Sequence, residues 1–369
     1  MWTDKGELNS TFTKYHPILT KYGCTDDDVL NLQNMWNEPH RVYHNQEHLE
    51  EILGLIENLR STRPNMTEVA FDIFVLAAFF HDAVYDPKSK TNEEDSAELF
   101  LKTCYKATDI YNTGTIEVDN PAGTVTNFVY AMILDTKDHT KNPSSYFSGQ
   151  FLIFDLNGMI NGSVSRMIAD EGKIMREFGF VDFDVYKNVR GTMFLDKFAT
   201  HIKSINKDSK VEEYIDWYKN RTPKIAVFAG SFFPFHRGHH DILKRAERIF
   251  DKVIVLLCIN PSKNNNSEQV KEYIEKDLSK KLPNNQIEFF SGMVHEYVKS
   301  KNYPLSVVKG LRNASDFDSE KLQLRYMEDF YPDINIVYIV SDRKFEHVSS
   351  TGVKQIQSFG ANADHYLLD

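Results

Sequence analysis

The chain has 369 residues, 41% of them hydrophobic and 26% charged, with only 17 Gly and 12 Pro. That is the composition of a soluble globular protein with length for two domains, and it excludes a disordered, collagen-like or disulfide-stapled chain. The formal net charge of -10 is uneven: residues 1–222 carry 34 acidic and 23 basic side chains, a balance of -11, and the rest carry 19 and 20, a balance of +1.

From Leu30 to Phe100 apolar residues recur at three and four, as in Leu49, Ile52, Leu53, Ile56 and then Phe71, Phe74, Val75, Ala78, which predicts helices. A polar, Gly-containing stretch from Tyr111 to Thr124 reads as a loop, after which Val125 to Leu134, Phe151 to Ile160 and Val185 to Ile202 return to helical spacing. The texture changes after Trp217. Lys219 to Pro223 is a polar connector, and Lys224 to Ala229 is a compact apolar run that enters Gly230-Ser231 as a strand enters a loop. Helical spacing over Gly238 to Phe250 and Val294 to Ser300 then alternates with strand-like runs at Val253 to Ile259, Ile287 to Phe290, Leu305 to Val308 and Ile334 to Val340. The expected architecture is an all-α domain over 1–218, a linker at 219–223, and an α/β domain over 224–369 with a parallel, doubly wound, Rossmann-like sheet.

The longest strongly apolar stretch, Ile73 to Phe80, is less than half of a bilayer crossing, and Asp4, Lys5 and Glu7 follow Met1 where a leader would be basic and then apolar. Cys24, Cys104 and Cys258 stand far apart in sequence with no CxxC pair. A cytoplasmic setting without a membrane partner is expected. No Lys/Arg stripe interleaved with aromatics is present, so nucleic acid is not an expected partner.

In the helical part, Tyr43-His44-Asn45-Gln46-Glu47-His48 places two imidazoles one turn apart, and His81-Asp82 closes the most apolar helix. Imidazole and carboxylate are the donors of hydrolytic metal sites, where the metal acidifies a bound water and stabilises phosphoryl charge while a nearby imidazole protonates the leaving group. These segments, with Asn92-Glu93-Glu94-Asp95-Ser96-Ala97, resemble the HD superfamily of metal-dependent phosphohydrolases over roughly residues 25–218. The resemblance implies His48, His81 and Asp82 as ligands of a divalent ion (Mn2+, Mg2+, Fe2+, Co2+ or Ni2+) and His44 as proton donor. It implies a later aspartate as a further ligand, best fitted by Asp155, with Asp135 and Asp138 as competitors and His139 close to a second metal or a phosphate. Glu93 and Glu94 read as a helix-starting charge pair, with a general base as the alternative. The substrate is left open within phosphate esters, nucleotide-like ones foremost, and a non-catalytic sensor or assembly module is the alternative.

In the C-terminal part, Gly230-Ser231-Phe232-Phe233-Pro234-Phe235-His236-Arg237-Gly238-His239 follows a strand and opens a helix, where unpaired N–H groups favour phosphate. Lys309-Gly310-Leu311-Arg312 follows another strand, and Val348-Ser349-Ser350-Thr351-Gly352-Val353-Lys354 precedes a helix. Three anion sites after three strands describe a triphosphate crossing the carboxyl edge of a sheet. These motifs, with Asn260-Pro261-Ser262-Lys263, Ser291 to Val294 and Asp316 to Glu320, resemble the phosphopantetheine adenylyltransferases of the nucleotidyltransferase superfamily. The resemblance implies ATP, carried with Mg2+, held by Ser231, Phe232, His239, Gly310, Arg312, Glu320, Ser349, Ser350, Thr351 and Lys354. It implies a phosphorylated acceptor held by Ser231, Lys263, Val294 and Lys309, catalysis by His236, His239, Lys263 and Arg312, and a homo-oligomer. His236 stands where that family usually has Thr, Lys309 where it has Arg, and Phe233 where it commonly has Asp, so nicotinamide mononucleotide and alcohol phosphates, with adenylyl or cytidylyl donors, stay open as alternatives.

Overall fold

The computed structural model describes residues 6–108, 124–259 and 267–368, so most of the loop expected at 111–124 and the segment around Lys263 lie outside the described residues. Two compact units are present. Residues up to Glu177, with Asn188–Lys219, form the first, and Phe178–Lys187 with Asn220–Asp369 form the second.

The first unit is helical throughout its described residues. Its helices are α1 (Ser10–Lys21), α2 (Asp26–Trp36), α3 (Gln46–Thr62), α4 (Glu68–Phe80), α5 (Asn92–Thr103), α6 (Val125–Asp135), α7 (Tyr146–Asp155), α8 (Asn157–Asn161) and α9 (Val164–Glu177). Beyond the segment given to the second unit, which holds most of α10 (Phe183–Asn188), it continues with a π-turn (Val189–Leu195), α11 (Asp196–Ile205) and α12 (Val211–Asn220). The helix starts are written in the sequence: Asn9, Thr25, Asn45, Thr67, Thr124 and Ser145 each accept a backbone N–H of the first turn. Helix α4 is the spine, because every residue from Ala70 to Phe80 is buried. Around it pack Phe12 and Leu19 of α1, Leu49, Ile52 and Ile56 of α3, Phe100 of α5 and Phe151 of α7. The one charge inside that spine, Asp72, accepts from Lys21 Nζ at 2.6 Å and from the Tyr22 hydroxyl at 2.9 Å, which satisfies a carboxylate that burial alone would make costly. Cys24 and Cys104, distant in sequence, meet at 3.4 Å as free thiols.

The second unit is a five-stranded parallel sheet in the order β3-β2-β1-β4-β5, with β1 at Ile225–Gly230, β2 at Lys252–Cys258, β3 at Ile287–Phe290, β4 at Leu305–Leu311 and β5 at Asn335–Val340. Strands β1 and β2 are near-continuous apolar runs, with Lys252 the exception at the start of β2, because both faces are covered. The crossovers carry α13 (Arg237–Ala246), α14 (Ser267–Tyr273) leading to α15 (Ser279–Lys281), α16 (Val294–Ser300) and α17 (Ala314–Phe330), and α18 (Ser350–Ser358) follows β5. The chain order reverses between β1 and β4, so the loops after these two strands diverge and leave a crevice at their carboxyl ends.

Candidate functional site

Each unit gathers its own cluster. In the helical unit, Asn45 caps α3 by accepting from Glu47 N at 2.9 Å, which places His48 in the first turn, while His81 ends α4. Arg41, buried between them, donates to the carbonyls of His44 (3.1 Å), Asp82 (2.7 Å) and Ala83 (2.8 Å) and so ties the two histidine-bearing turns together. Donor atoms of His48, His81 and Asp82 lie within 4.8 Å of one another. Asp155, the last residue of α7, brings Oδ1 to 3.0 Å from His48 Nε2 and 3.9 Å from His81 Nε2, and its Oδ2 to 2.6 Å from His139 Nε2.

These residues fit a divalent cation. The His81 ring donates from Nδ1 to Ala78 O at 2.9 Å, which turns its buried Nε2 toward the cluster; a ligand imidazole is oriented in this way by its other nitrogen. Asp82 Oδ2 stands 3.2 Å from that nitrogen as a neighbouring charge. Burial opposes charge on His81, but Asp82 and then Asp155 outweigh it and push its pKa up to about 9. Burial likewise opposes ionisation of Asp155, yet His139, His48 and His81 hold it well below the ordinary carboxylate range. Asp135 and Asp138 turn elsewhere: Asp135 accepts from Ser144 N and Oγ at 2.8 and 2.6 Å, and Asp138 from Thr140 Oγ1 at 2.7 Å. Glu94 pairs with Lys137, and Glu93 is pushed up by burial.

His44 lies beside the cluster, its ring centroid 6.1 Å from that of His48. Burial opposes its charge, but Glu177 foremost, with Asp82 and Asp155, raises its pKa above the ordinary imidazole value. Glu177, in α9, is 2.7 Å from His44 Nδ1 and has no counterpart in the sequence motifs.

In the second unit, β1 delivers a strained turn. Phe232 has φ of +43° and packs its ring so close to Gly230 that a Cβ there would lie 2.7 Å from it. His236 then caps α13 in a reciprocal arrangement: His239 N donates to His236 Nδ1 and His236 N donates to His239 Nδ1, both at 3.3 Å, with the two rings stacked 3.5 Å apart. With each Nδ1 accepting, each neutral ring carries its proton on Nε2. Burial, then the Arg312 charge, pushes His236 down to about 4. Burial, then His236 and Arg312, holds His239 well below the imidazole range. Both are therefore neutral hydrogen-bond donors at neutral pH.

Across the crevice, Gly310 in β4 admits Ile242 of α13, whose Cγ1 would be 3.0 Å from an added Cβ. Lys309 Nζ pairs with Glu320 at 3.1 Å. The Arg312 fork is held by Asp316 through Nε and Nη2 at 2.8 and 2.9 Å, and its Nη1 points to Val348 O at 3.4 Å. Ser349 caps α18 by accepting from Gly352 N at 3.0 Å, the Ser350 hydroxyl donates to Pro234 O at 3.0 Å, and Lys354 Nζ sits 4.5 Å over the Phe233 ring. The loop after β1, the end of β4 and the start of α18 thus converge, with Ser231 in the first of them and exposed Thr351 in the last. Val294 opens α16 after β3 on the same carboxyl edge. Lys263 lies outside the described residues.

Residues 227–356 match the cytidylyltransferase-like family. The phosphopantetheine adenylyltransferase of Caldanaerobacter subterraneus subsp. tengcongensis is 34% identical over 148 residues, which cover 40% of this chain and 91% of that protein. The chain belongs to this nucleotidyltransferase family through its C-terminal unit. The phosphopantetheine adenylyltransferase of Dictyoglomus thermophilum is 40% identical over 137 residues, 37% of this chain and 82% of that protein. A bifunctional NMN adenylyltransferase/ADP ribose pyrophosphatase from Francisella tularensis is similar at 22% identity over 40% of this chain and 44% of its own, with a TM-score of 0.29. In the nucleotidyltransferase unit one supporting contact had no motif to announce it: the Tyr273 hydroxyl accepts from Phe235 N at 2.9 Å and braces the loop after β1.

Proposed function

We propose that the nucleotidyltransferase unit transfers the adenylyl group of Mg2+-ATP to 4'-phosphopantetheine, giving dephospho-coenzyme A and pyrophosphate. The observation that carries this reading is the convergence of His239, Arg312 and the start of α18 on one crevice, in a unit 34% identical to a phosphopantetheine adenylyltransferase over nearly that protein's full length. Ser231, Phe232, His239, Gly310, Arg312, Glu320, Ser349, Ser350, Thr351 and Lys354 hold ATP, and Ser231, Lys263, Val294 and Lys309 hold the acceptor. An acceptor phosphate oxygen attacks the α-phosphorus as the bond to pyrophosphate breaks. Catalysis is positioning plus stabilisation of developing charge by fixed donors, the neutral His236 and His239 among them. His239→Ala is expected to lower turnover by about 10²- to 10³-fold, the effect of losing one preorganised donor; unimpaired turnover would remove His239 from the reaction. His236 and Lys309 favour a second reading, with nicotinamide mononucleotide or an alcohol phosphate as acceptor, and turnover across an acceptor panel separates the two. The unit assembles as a homo-oligomer in this proposal; α17 supports it by exposing Leu322, Tyr326 and Phe330 at four-residue spacing, and light scattering tests it.

For the helical unit we propose metal-dependent hydrolysis of a phosphate ester, with His48, His81, Asp82 and Asp155 holding a divalent ion and His44 as proton donor. The buried His81 Nε2, facing the Asp82 and Asp155 carboxylates and grouped with His48, supports this. The ion would supply charge stabilisation at the phosphoryl oxygens and an acidified water. Around it the chain's own residues orient the ester and deliver a proton. His81→Ala combined with Asp82→Ala is expected to abolish bound metal, measured by mass spectrometry of the purified chain, together with hydrolysis. Unchanged metal content would remove the assigned ligands, and bound metal without turnover in the unmodified chain would leave the unit a sensor.

A further inference from the structure

Of the cations Lys309, Arg312 and Lys354 on the walls of the crevice, two are already paired with carboxylates. Lys309 Nζ is 3.1 Å from Glu320, and the Arg312 fork is held by Asp316 at 2.8 and 2.9 Å. Lys354, in the second turn of α18, has no carboxylate partner among the described residues. Its Nζ stands 4.5 Å over the ring of Phe233 instead. Contacts on both sides hold that ring and the ammonium face to face. The Tyr273 ring meets Phe233 edge-on, with centroids 5.0 Å apart and planes at 88°, while the Tyr273 hydroxyl accepts from Phe235 N at 2.9 Å. From α18 the Ser350 hydroxyl donates to Pro234 O at 3.0 Å. Ser350 and Lys354 are four residues apart and share one face of the helix, so the bond that ties Ser350 to Pro234 brings Lys354 over the adjacent Phe233.

An aromatic face attracts an ammonium through its quadrupole without cancelling the charge. An ammonium has three N–H donors, and those turned away from the ring stay available to oxygen acceptors. We infer that Phe233 is a specificity-determining residue of the nucleotide site: it positions Lys354 as a fully charged donor to the outer phosphates of the triphosphate, the part that leaves as pyrophosphate. The inference rests on the nucleotide reading proposed above and names the pair of residues that tells a triphosphate from a monophosphate. As the acceptor oxygen bonds to the α-phosphorus, the bond to the leaving oxygen breaks and its electron pair passes to pyrophosphate. Charge grows there, and a cation already placed beside it stabilises that charge without reorganisation. A carboxylate at position 233 would pair with Lys354 and set a negative charge beside the phosphates. An aliphatic side chain would fill the space without attracting the ammonium.

Calorimetry on the full chain with Mg2+ and no acceptor tests this, with ATP, inorganic pyrophosphate and adenosine 5'-monophosphate as probes. Phe233→Asp is expected to weaken ATP and pyrophosphate by about 10-fold, the scale of one charge-assisted hydrogen bond, and to leave adenosine 5'-monophosphate as it was. Phe233→Leu, which keeps the bulk and loses the quadrupole, is expected to weaken ATP by about 3-fold, the scale of an exposed cation–π contact. In a Lys354→Met background Phe233→Leu is expected to cost nothing further. Equal weakening of ATP and adenosine 5'-monophosphate, unchanged ATP affinity in Phe233→Asp, or additive losses of Phe233→Leu and Lys354→Met would overturn the inference while leaving the nucleotide reading in place. No binding of ATP or pyrophosphate by the native chain would overturn that reading and the inference with it.

Discussion

Burial opposes the charge on Glu177, but His44, Tyr85 and the backbone N–H groups overcome it and hold the carboxyl at about 2 against an ordinary 4.5. A depressed carboxyl pKa means a stabilisation that is complete above the ordinary value and is lost as pH falls through the depressed one. The helical unit is thus expected to lose on the order of 3 kcal/mol as pH falls from about 4.5 to 2. Denaturation followed against pH checks this, and Glu177→Gln should flatten that acid limb. His81 carries the opposite sign: its pKa of about 9 leaves it protonated at neutral pH in the metal-free chain. Metal binding is expected to release a proton and to tighten as pH rises toward 9, which calorimetry in buffers of different ionisation enthalpy measures. Residues of this kind differ in legibility. His48, His81 and Asp82 stand in short motifs, and Asp155 in a recognisable segment. Glu177 is chosen by the fold across 133 positions and has no local pattern to mark it.

Helix α13 shows how one residue serves an element and a site together. His236 caps the helix through Nδ1 and contributes a neutral ring beside the crevice at the carboxyl ends of β1 and β4. His236→Ala should remove the cap at a cost of about 1 kcal/mol, and His236→Thr should restore most of it, because a hydroxyl also caps. Thermal unfolding of the two variants checks the ranking, and equal stability would remove the capping role. The strands β1 and β2 were legible because parallel strands covered on both faces read as near-continuous apolar runs. Helix α17 is not among the expected elements, although Leu322, Tyr326 and Phe330 recur at helical spacing along it. The π-turn at Val189–Leu195 was equally hidden, because the apolar spacing from Val185 to Ile202 runs through it as through an ordinary helix.

At the level of the whole molecule, the linear order of the sequence and the division into units part company at Phe178–Lys187, which packs with the second unit. Lys252, at the start of β2, is buried and donates to the carbonyls of Gly179 and Val181, the latter at 2.7 Å, and Phe183 packs edge-on against Tyr303. Burial pushes the ammonium down to about 7, with Asp182 and Glu288 opposing that fall. Lys252→Met would leave two carbonyls without their donor, at about 1–3 kcal/mol each, and is expected to lower the unfolding temperature of the second unit. An unchanged transition would show that Lys252 does not anchor the segment. The helical part expected over 1–218 includes this segment, since nothing in Phe178 to Lys187 announces its partners.

The acceptor defines the reaction of the nucleotidyltransferase unit. The decisive measurement is mass spectrometry of the products formed by the full chain with Mg2+, ATP and 4'-phosphopantetheine, run beside nicotinamide mononucleotide. Dephospho-coenzyme A and pyrophosphate in equal amounts, lost with His239→Ala, is the predicted result. Adenylylation of nicotinamide mononucleotide alone, or of neither acceptor, would contradict it.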